Sequence, residues 1–409
     1  MTMHKIIAFV WLGLVVACSG RKSATSDAQT NSPTMETKSP DSSAYAEDRR
    51  FLQKHHPDLV ELQLGEAHAL VCPAYQGRVM TSSADGKASY GWINYDLIES
   101  GKLLPHMNAF GGEDRFWLGP EGGQFALYFK KGDPFDAAHW QTPAAIDSEP
   151  FRLIANTNTS ATFSRDVSLT NYSGTRFDIN IERTVRLLNK AAIDKLLATN
   201  TDSLKVVGIQ SDNVITNKGK QAWTPETGMP SIWILGMMNA SPKATIIVPF
   251  RPGAGQPIND SYFGKVPSDR LRVGKTSALF TADAGYRSKI GVSPMRATNW
   301  LGSYDPKTET LTLVNYDFDP KDRQYVNSAW AQQKEPFAGD VINAYNDGPM
   351  KPGQPQMGTF YELESSSPAA QAAPGGKQQH RHTTIHIQGD RSQLSKLATQ
   401  YLATDLSTL

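Results

Sequence analysis

The sequence predicts an all-β protein, a large antiparallel two-sheet β-sandwich with few short helices. Three observations carry this reading. Helical periodicity is confined to two segments. Short runs rich in β-branched and aromatic residues, broken by Gly, Pro, Asn or Asp, recur along the chain, and no motif repeats at the spacing of a propeller blade. Many short strands over ~350 residues, with so few helices, fit two packed sheets better than a propeller.

The elements follow in order. Ala69–Cys72 is the first strand, and Arg176–Leu188 (RFDINIERTVRLL) alternates along its length, as a half-buried strand must. Leu204–Gln210, Ser231–Met237, Ala244–Pro249, Thr310–Tyr316, Thr359–Ser365 and His382–Ile387 read the same way. Ala84-Asp85-Gly86-Lys87, Asn217-Lys218-Gly219-Lys220 and Asn346-Asp347-Gly348 mark turns between them, and Asn213 reads as further turn chemistry. The helices are Asn189–Thr199 and Arg391–Thr404. The second places Leu394, Leu397, Ala398 and Tyr401 on one face and opens after Asp390, a good N-cap.

The N-terminus has its own logic. Lys5 precedes an apolar run from Ile6 to Ala17, too short for the ~20 residues of a membrane span but suited to a signal-peptide core. Val15-Val16-Ala17-Cys18 resembles the lipobox of bacterial lipoproteins, which implies cleavage before Cys18 and lipidation of its sulfur. Residues 1–17 are then a signal peptide. Residues 18–48, rich in Ser, Thr, Asn, Lys and Pro, form a lipidated disordered tether, and 49–409 form the folded domain. Ser19 is not the aspartate that often holds lipoproteins in the inner membrane, so the resemblance implies an outer-membrane anchor facing the periplasm.

Composition removes several function classes. Lys plus Arg total 41 and Asp plus Glu total 40, and no basic cluster is interleaved with aromatics, which argues against a nucleic-acid partner. With Cys18 lipidated, only Cys72 remains. It reads as a buried small hydrophobe, without a disulfide or a cysteine metal site. There is no Gly-x-Ser-x-Gly elbow and no glycine-rich phosphate loop before a helix, and no cofactor is implied.

Two stretches carry chemistry. His106 to Gln124 gathers one histidine, one arginine, three acids and three large aromatics among five glycines, which let backbone approach a ligand or another strand closely. Carboxylates and an arginine beside tryptophan suit a sugar, whose C–H face lies on the aromatic ring while charged groups take the hydroxyls. A structural Arg115 network pinning a sheet corner is the alternative. In the second stretch, Glu362 and Glu364 share one strand face, where two like charges need solvent, a cation or a ligand. His382 and His386 also share a face. They read as solvated histidines near an edge strand, with a metal site formed with the two glutamates as the alternative. Trp233 in SIWILGMM reads as core or pocket wall, and Arg287 and Lys289 as an exposed cationic face or ligand groups.

Gly77-Arg78, the block Gly111-Gly112-Glu113-Asp114-Arg115-Phe116-Trp117-Leu118-Gly119-Pro120-Glu121, Asn217-Lys218-Gly219 before Trp223, and Tyr361-Glu362-Leu363-Glu364 with Pro368 and Pro374-Gly375 occur in this order across residues 60–390. In these blocks the chain resembles the galactose-mutarotase-like superfamily, and within it a family of secreted bacterial lipoproteins. The resemblance implies a β-supersandwich and a carbohydrate ligand. In the enzymes of that superfamily a strand glutamate takes the anomeric proton and a histidine protonates the ring oxygen. Carried over, Glu364 or Glu362 is the base and His106 the acid of an aldose-1-epimerase-like isomerase, with Asn108, Glu113, Asp114, Arg115, Trp117, Glu121 and Trp233 binding the sugar. The His-Gly-Gly and His-(Ser/Thr)-Tyr-Phe-Asn-Leu segments of aldose epimerases are absent. Two other readings stay open. One is a non-catalytic structural or assembly lipoprotein; the other is a metal-dependent glycan lyase or hydrolase.

Overall fold

The computed structural model describes residues 43–351 and 353–409, so the signal segment, Cys18 and the tether up to residue 42 lie outside the described residues. The expected end of the tether at Asp48 is corrected. Ala44–His55 forms α1, N-capped by the Ser43 side chain, and Tyr45, Ala46, Asp48 and Leu52 are buried. Its apolar stripe is thin and interrupted by charge, so periodicity did not reveal it. Asp48 accepts from the Ser89 and Tyr95 hydroxyls, which ties this helix to the domain.

The strands are β1 (Val60–Leu64), β2 (Ala67–Cys72), β3 (Arg78–Ser83), β4 (Arg115–Gly119), β5 (Arg152–Asn156), β6 (Ser160–Thr170), β7 (Arg176–Leu187), β8 (Lys205–Asn217) and β9 (Ser231–Asn239). They continue as β10 (Thr245–Pro249), β11 (Leu271–Val273), β12 (Ser277–Thr281), β13 (Ser288–Val292), β14 (Trp300–Asp305), β15 (Thr310–Tyr316), β16 (Ile342–Asn346), β17 (Phe360–Ser366) and β18 (Lys377–Gln388). The remaining helices are α2 (Tyr95–Ser100), α3 (Ala144–Asp147), α4 (Lys190–Leu196) and α5 (Arg391–Leu402).

Ten strands form the larger sheet in the order β11-β12-β10-β14-β15-β18-β8-β7-β6-β5, and five form the smaller, β13-β16-β17-β9-β4. The small sheet β1-β2-β3 joins the latter through a bridge between Val79 and Asp114. All strand pairings are antiparallel. The predicted all-β, two-sheet architecture is therefore the observed one.

Alternation explains the layering. Phe116, Leu118, Ile232 and Ile234 turn one face of the smaller sheet inward, into one apolar cluster with Ile181, Val185, Ile209 and Ile215 of the larger. On the far face of the larger sheet, Leu311, Leu313, Ile385 and Ile387 are covered by Leu394, Leu397, Ala398 and Leu402 of α5. Truncating one such leucine costs ~2–5 kcal/mol. Both helices predicted from periodicity are present, as α4 and α5, and Asp390 caps α5 by accepting from Ser392 N–H at 2.8 Å.

Two local expectations are corrected. Asn213 lies inside β8 and is buried rather than in a turn. His382 and His386 lie on β18, between β15 and β8 near the middle of the larger sheet, and both are buried. The apparent edge strand was the apolar end of a longer strand whose Lys377-Gln378-Gln379 start is polar.

Candidate functional site

The inner face of the smaller sheet belongs to the core, so its outer face is where alternate residues meet open space. Antiparallel register sets Met237, Glu362, Tyr345 and Lys289 in one row across β9, β17, β16 and β13. A neighbouring row carries Arg115, Leu235 and Glu364, and Trp117 faces Trp233 in the next. Loops bring Trp140, Trp330, Phe263 and Arg287 over this floor, and the result is a cleft with an empty volume of ≈ 580 Å³ including its open mouth.

Charges line its floor. An Arg115 terminal nitrogen donates to Glu362 Oε1 at 2.7 Å, and its guanidinium lies 4.1 Å from the Trp117 ring centre. Lys289 Nζ donates to Glu364 Oε2 at 2.9 Å, shares that oxygen with Trp233 Nε1 at 2.9 Å, and sits 4.6 Å over the Trp233 ring. Burial pushes the Glu362 carboxyl up to about 7, with Glu364 adding to the rise while Arg115 opposes it. Glu121 accepts from Trp330 Nε1 at 3.1 Å, and burial raises its carboxyl above the usual range.

The walls are aromatic. Trp117 and Trp233 meet edge to face at 5.6 Å, and Trp140 stacks near Trp330 at 6.0 Å. Trp117 Nε1, Trp140 Nε1 and Arg115 Nε are buried donors without a partner among the described residues. Such a wall can cover the apolar face of a flat, hydroxylated ring while unused donors reach its oxygens.

Of the residues predicted from sequence, the cleft gathers Arg115, Trp117, Glu121, Trp233 and Glu362. Glu364 lies beneath it, fully buried and reached through Lys289 and Trp233. The others lie elsewhere. His106 is exposed, its Nδ1 2.7 Å from the Trp140 carbonyl, and is not among the cleft-lining residues, so its assignment as the acid is corrected. Asn108 donates to Asp147 from its side chain at 2.7 Å and its backbone, pinning a loop to α3. Glu113 Oε2 lies 2.6 Å from His386 Nε2, and Asp114 pairs with Arg183, all buried between the sheets. Gly111 and Gly112 make this split possible. Both have positive φ (97° and 105°), and a Cβ on Gly111 would stand 2.1 Å from the Trp92 carbonyl oxygen.

The metal alternative loses its geometry as well. His382 bonds Ser365 on the core face at 2.8 Å, whereas Glu362 and Glu364 belong to the opposite face of the smaller sheet. Among the described residues no group of three or more His, Cys, Asp or Glu is arranged to hold an ion. Trp140, Trp330, Phe263 and Tyr345 were missed by sequence reasoning, because they come from separated loops and strands with no shared local pattern. A larger open cavity beside α1 and α2 holds Glu47, Asp48 and Asp96 but none of the predicted site residues.

The fold and this cleft define a β-sandwich protein with an aromatic-walled, charged site on the outer face of its smaller sheet. The chain belongs to a family of unknown function, DUF6786, which matches residues 43–409. No curated protein matches it. Among solved structures it is similar to a protein of Synechocystis sp. PCC 6803, at 12% identity over 81% of this chain and 96% of that one, TM-score 0.48. It is also similar to a galactose mutarotase-like protein of Lactobacillus casei, at 8% identity over 80% and 99%, TM-score 0.45. A galactose mutarotase related enzyme of Lactobacillus acidophilus is similar at 10% identity over 80% and 97%, TM-score 0.45.

Proposed function

We propose that the cleft binds a carbohydrate. The observation that carries this reading is the set of tryptophans, Trp117, Trp140, Trp233 and Trp330, around a floor that carries Arg115, Lys289 and Glu362. A sugar ring presents one apolar face and a rim of hydroxyls, and this arrangement answers both. Glu362, with its carboxyl near 7, is suited to exchange a proton with a bound sugar around neutral pH. With His106 outside the cleft, two-group ring opening by a histidine acid loses its partner, and binding is the favoured role.

Calorimetric titration of the full-length protein in detergent against a broad glycan library tests this. At least one glycan is expected to saturate a single site, and Trp140→Ala, at a half-buried wall position, to weaken it about tenfold, or about 1.4 kcal/mol. A folded protein that binds no member of the library would refute the carbohydrate reading.

The same proposal places the domain at a membrane. Cys18 carries the lipid, residues 18–42 give reach, and the cleft works on the periplasmic side of the outer membrane. Cys18→Ser is expected to move the protein from the membrane fraction to the soluble fraction, and retention of that variant in the membrane would contradict lipidation at this cysteine.

A further inference from the structure

Charge in the cleft is not neutralised pair by pair. Arg115 is engaged by Glu362 and Lys289 by Glu364. Arg287, immediately before β13, is different. Its guanidinium lies 4.1 Å over the Phe263 ring, and its Nε donates to the Tyr345 hydroxyl at 3.3 Å. Tyr345 in turn donates to Asp347 Oδ1 at 2.7 Å, and Asp347 Oδ2 is occupied by Gly358 N–H at 2.8 Å. Among the described residues Arg287 forms no ion pair, and its two terminal NH2 groups have no protein acceptor.

Arginines with a structural task in this protein give their terminal nitrogens to protein acceptors, Arg78 and Arg296 to backbone carbonyls and others to carboxylates. Arg183 pairs with Asp114, and Arg270 grips both oxygens of Asp283 at 2.9 and 3.2 Å. Arg287 is instead held from one side by an aromatic face and a hydroxyl, with the outer edges of its planar fork free in the cleft wall. A fixed guanidinium fork matches the paired oxygens of a carboxylate, sulfate or phosphate.

We propose that the cleft recognises an acidic sugar, and that Arg287 receives the anionic group while the tryptophan wall takes the ring. This rests on the carbohydrate reading of the same site. Glu121 and Glu362, also in the cleft, then accept from hydroxyls at positions away from that group.

The test uses the full-length protein and oligosaccharides in matched sets: a uronate-containing chain, the same chain after carboxyl reduction to its neutral form, and its sulfated and phosphorylated counterparts. The acidic members are expected to bind at least tenfold tighter than their neutral partners, with a preference that shrinks as salt rises. Whichever of uronate, sulfate or phosphate gains most identifies the group. Arg287→Gln is expected to abolish the preference, bringing the affinity for acidic members down to that for their neutral partners, and Arg287→Lys to keep part of it. Neutral members binding as tightly as acidic ones would overturn the acidic-sugar inference and leave the carbohydrate reading standing. No binding by any member would overturn both. Should Arg287→Gln fail to fold, the wild-type ratio of acidic to neutral affinity decides alone.

Discussion

The two faces of the smaller sheet carry similar side chains and put them to different use. Toward the core, Asp114 pairs with Arg183, His380 and His382 both contact Ser365, and Glu113 meets His386, which also contacts Thr312. Toward the cleft, Arg115 pairs with Glu362 and Lys289 with Glu364. Neighbours in sequence fall on opposite sides: Asp114 from Arg115, and Ser365 from Glu364. Both faces hold buried polar atoms without partners among the described residues, such as His382 Nε2 on one and Arg115 Nε on the other. The difference is access. Core pairs are sealed under the second sheet, whereas cleft pairs open onto a cavity walled by tryptophan. A high density of charge therefore does not mark a site by itself; charge that opens onto an aromatic-lined cavity does.

This contrast can be broken or sharpened by mutation. The largest effect is expected at Arg183→Ala, which leaves Asp114 buried and unpaired and costs about 3–5 kcal/mol in urea unfolding. The glycan affinity of the remaining folded protein should not change. Next is His382→Gln. Burial lowers the His382 pKa to about 4, below its unfolded value of 6.5, so the folded state resists protonation. The stability this residue contributes is present above pH 6.5 and is lost as pH falls through about 4. Wild type should therefore lose about 3 kcal/mol relative to the variant between pH 7 and 4, at ~1.4 kcal/mol per unit. A wild-type-minus-variant difference that stays flat across that range would show that His382 is not held neutral. The smallest effect is expected at His106→Ala. An exposed ring bonded to a carbonyl should change stability by less than about 0.5 kcal/mol and leave glycan affinity unchanged. A hundredfold loss of activity or binding there would restore it to the site.

What the sequence revealed follows the range of the forces involved. Alternation and capping are local, so Thr310–Tyr316 was legible to the residue, and Asp390 was readable as the cap of α5. Helix α1 was not, because its burial depends on partners such as Ser89 and Tyr95, more than forty residues away. In the site, strand parity put Glu362 and Glu364 on one face, but parity cannot say which face is core until the second sheet is known. Glu113 and Asp114 were therefore grouped with Arg115, although they serve the core. His106 was chosen for its nearness in sequence to the Gly-Gly-Glu-Asp block, and the turn at Gly111-Gly112 separates it from the strand that enters the cleft. Arg287 and Lys289 were visible as cations on a strand-like run. Only the register with β16 and β17 places Lys289 beside the glutamates.

The most direct test of the central claim uses the cleft's own tryptophans, four of the eight in the chain. Acrylamide quenching of the full-length protein is measured with and without a saturating glycan, in wild type and in Trp140→Ala/Trp330→Ala. A sugar seated on the wall is expected to shield wild-type fluorescence from the quencher, and the double variant to show no such shielding. Saturable glycan binding with identical quenching in both states would place the ligand elsewhere and contradict the assignment of this cleft.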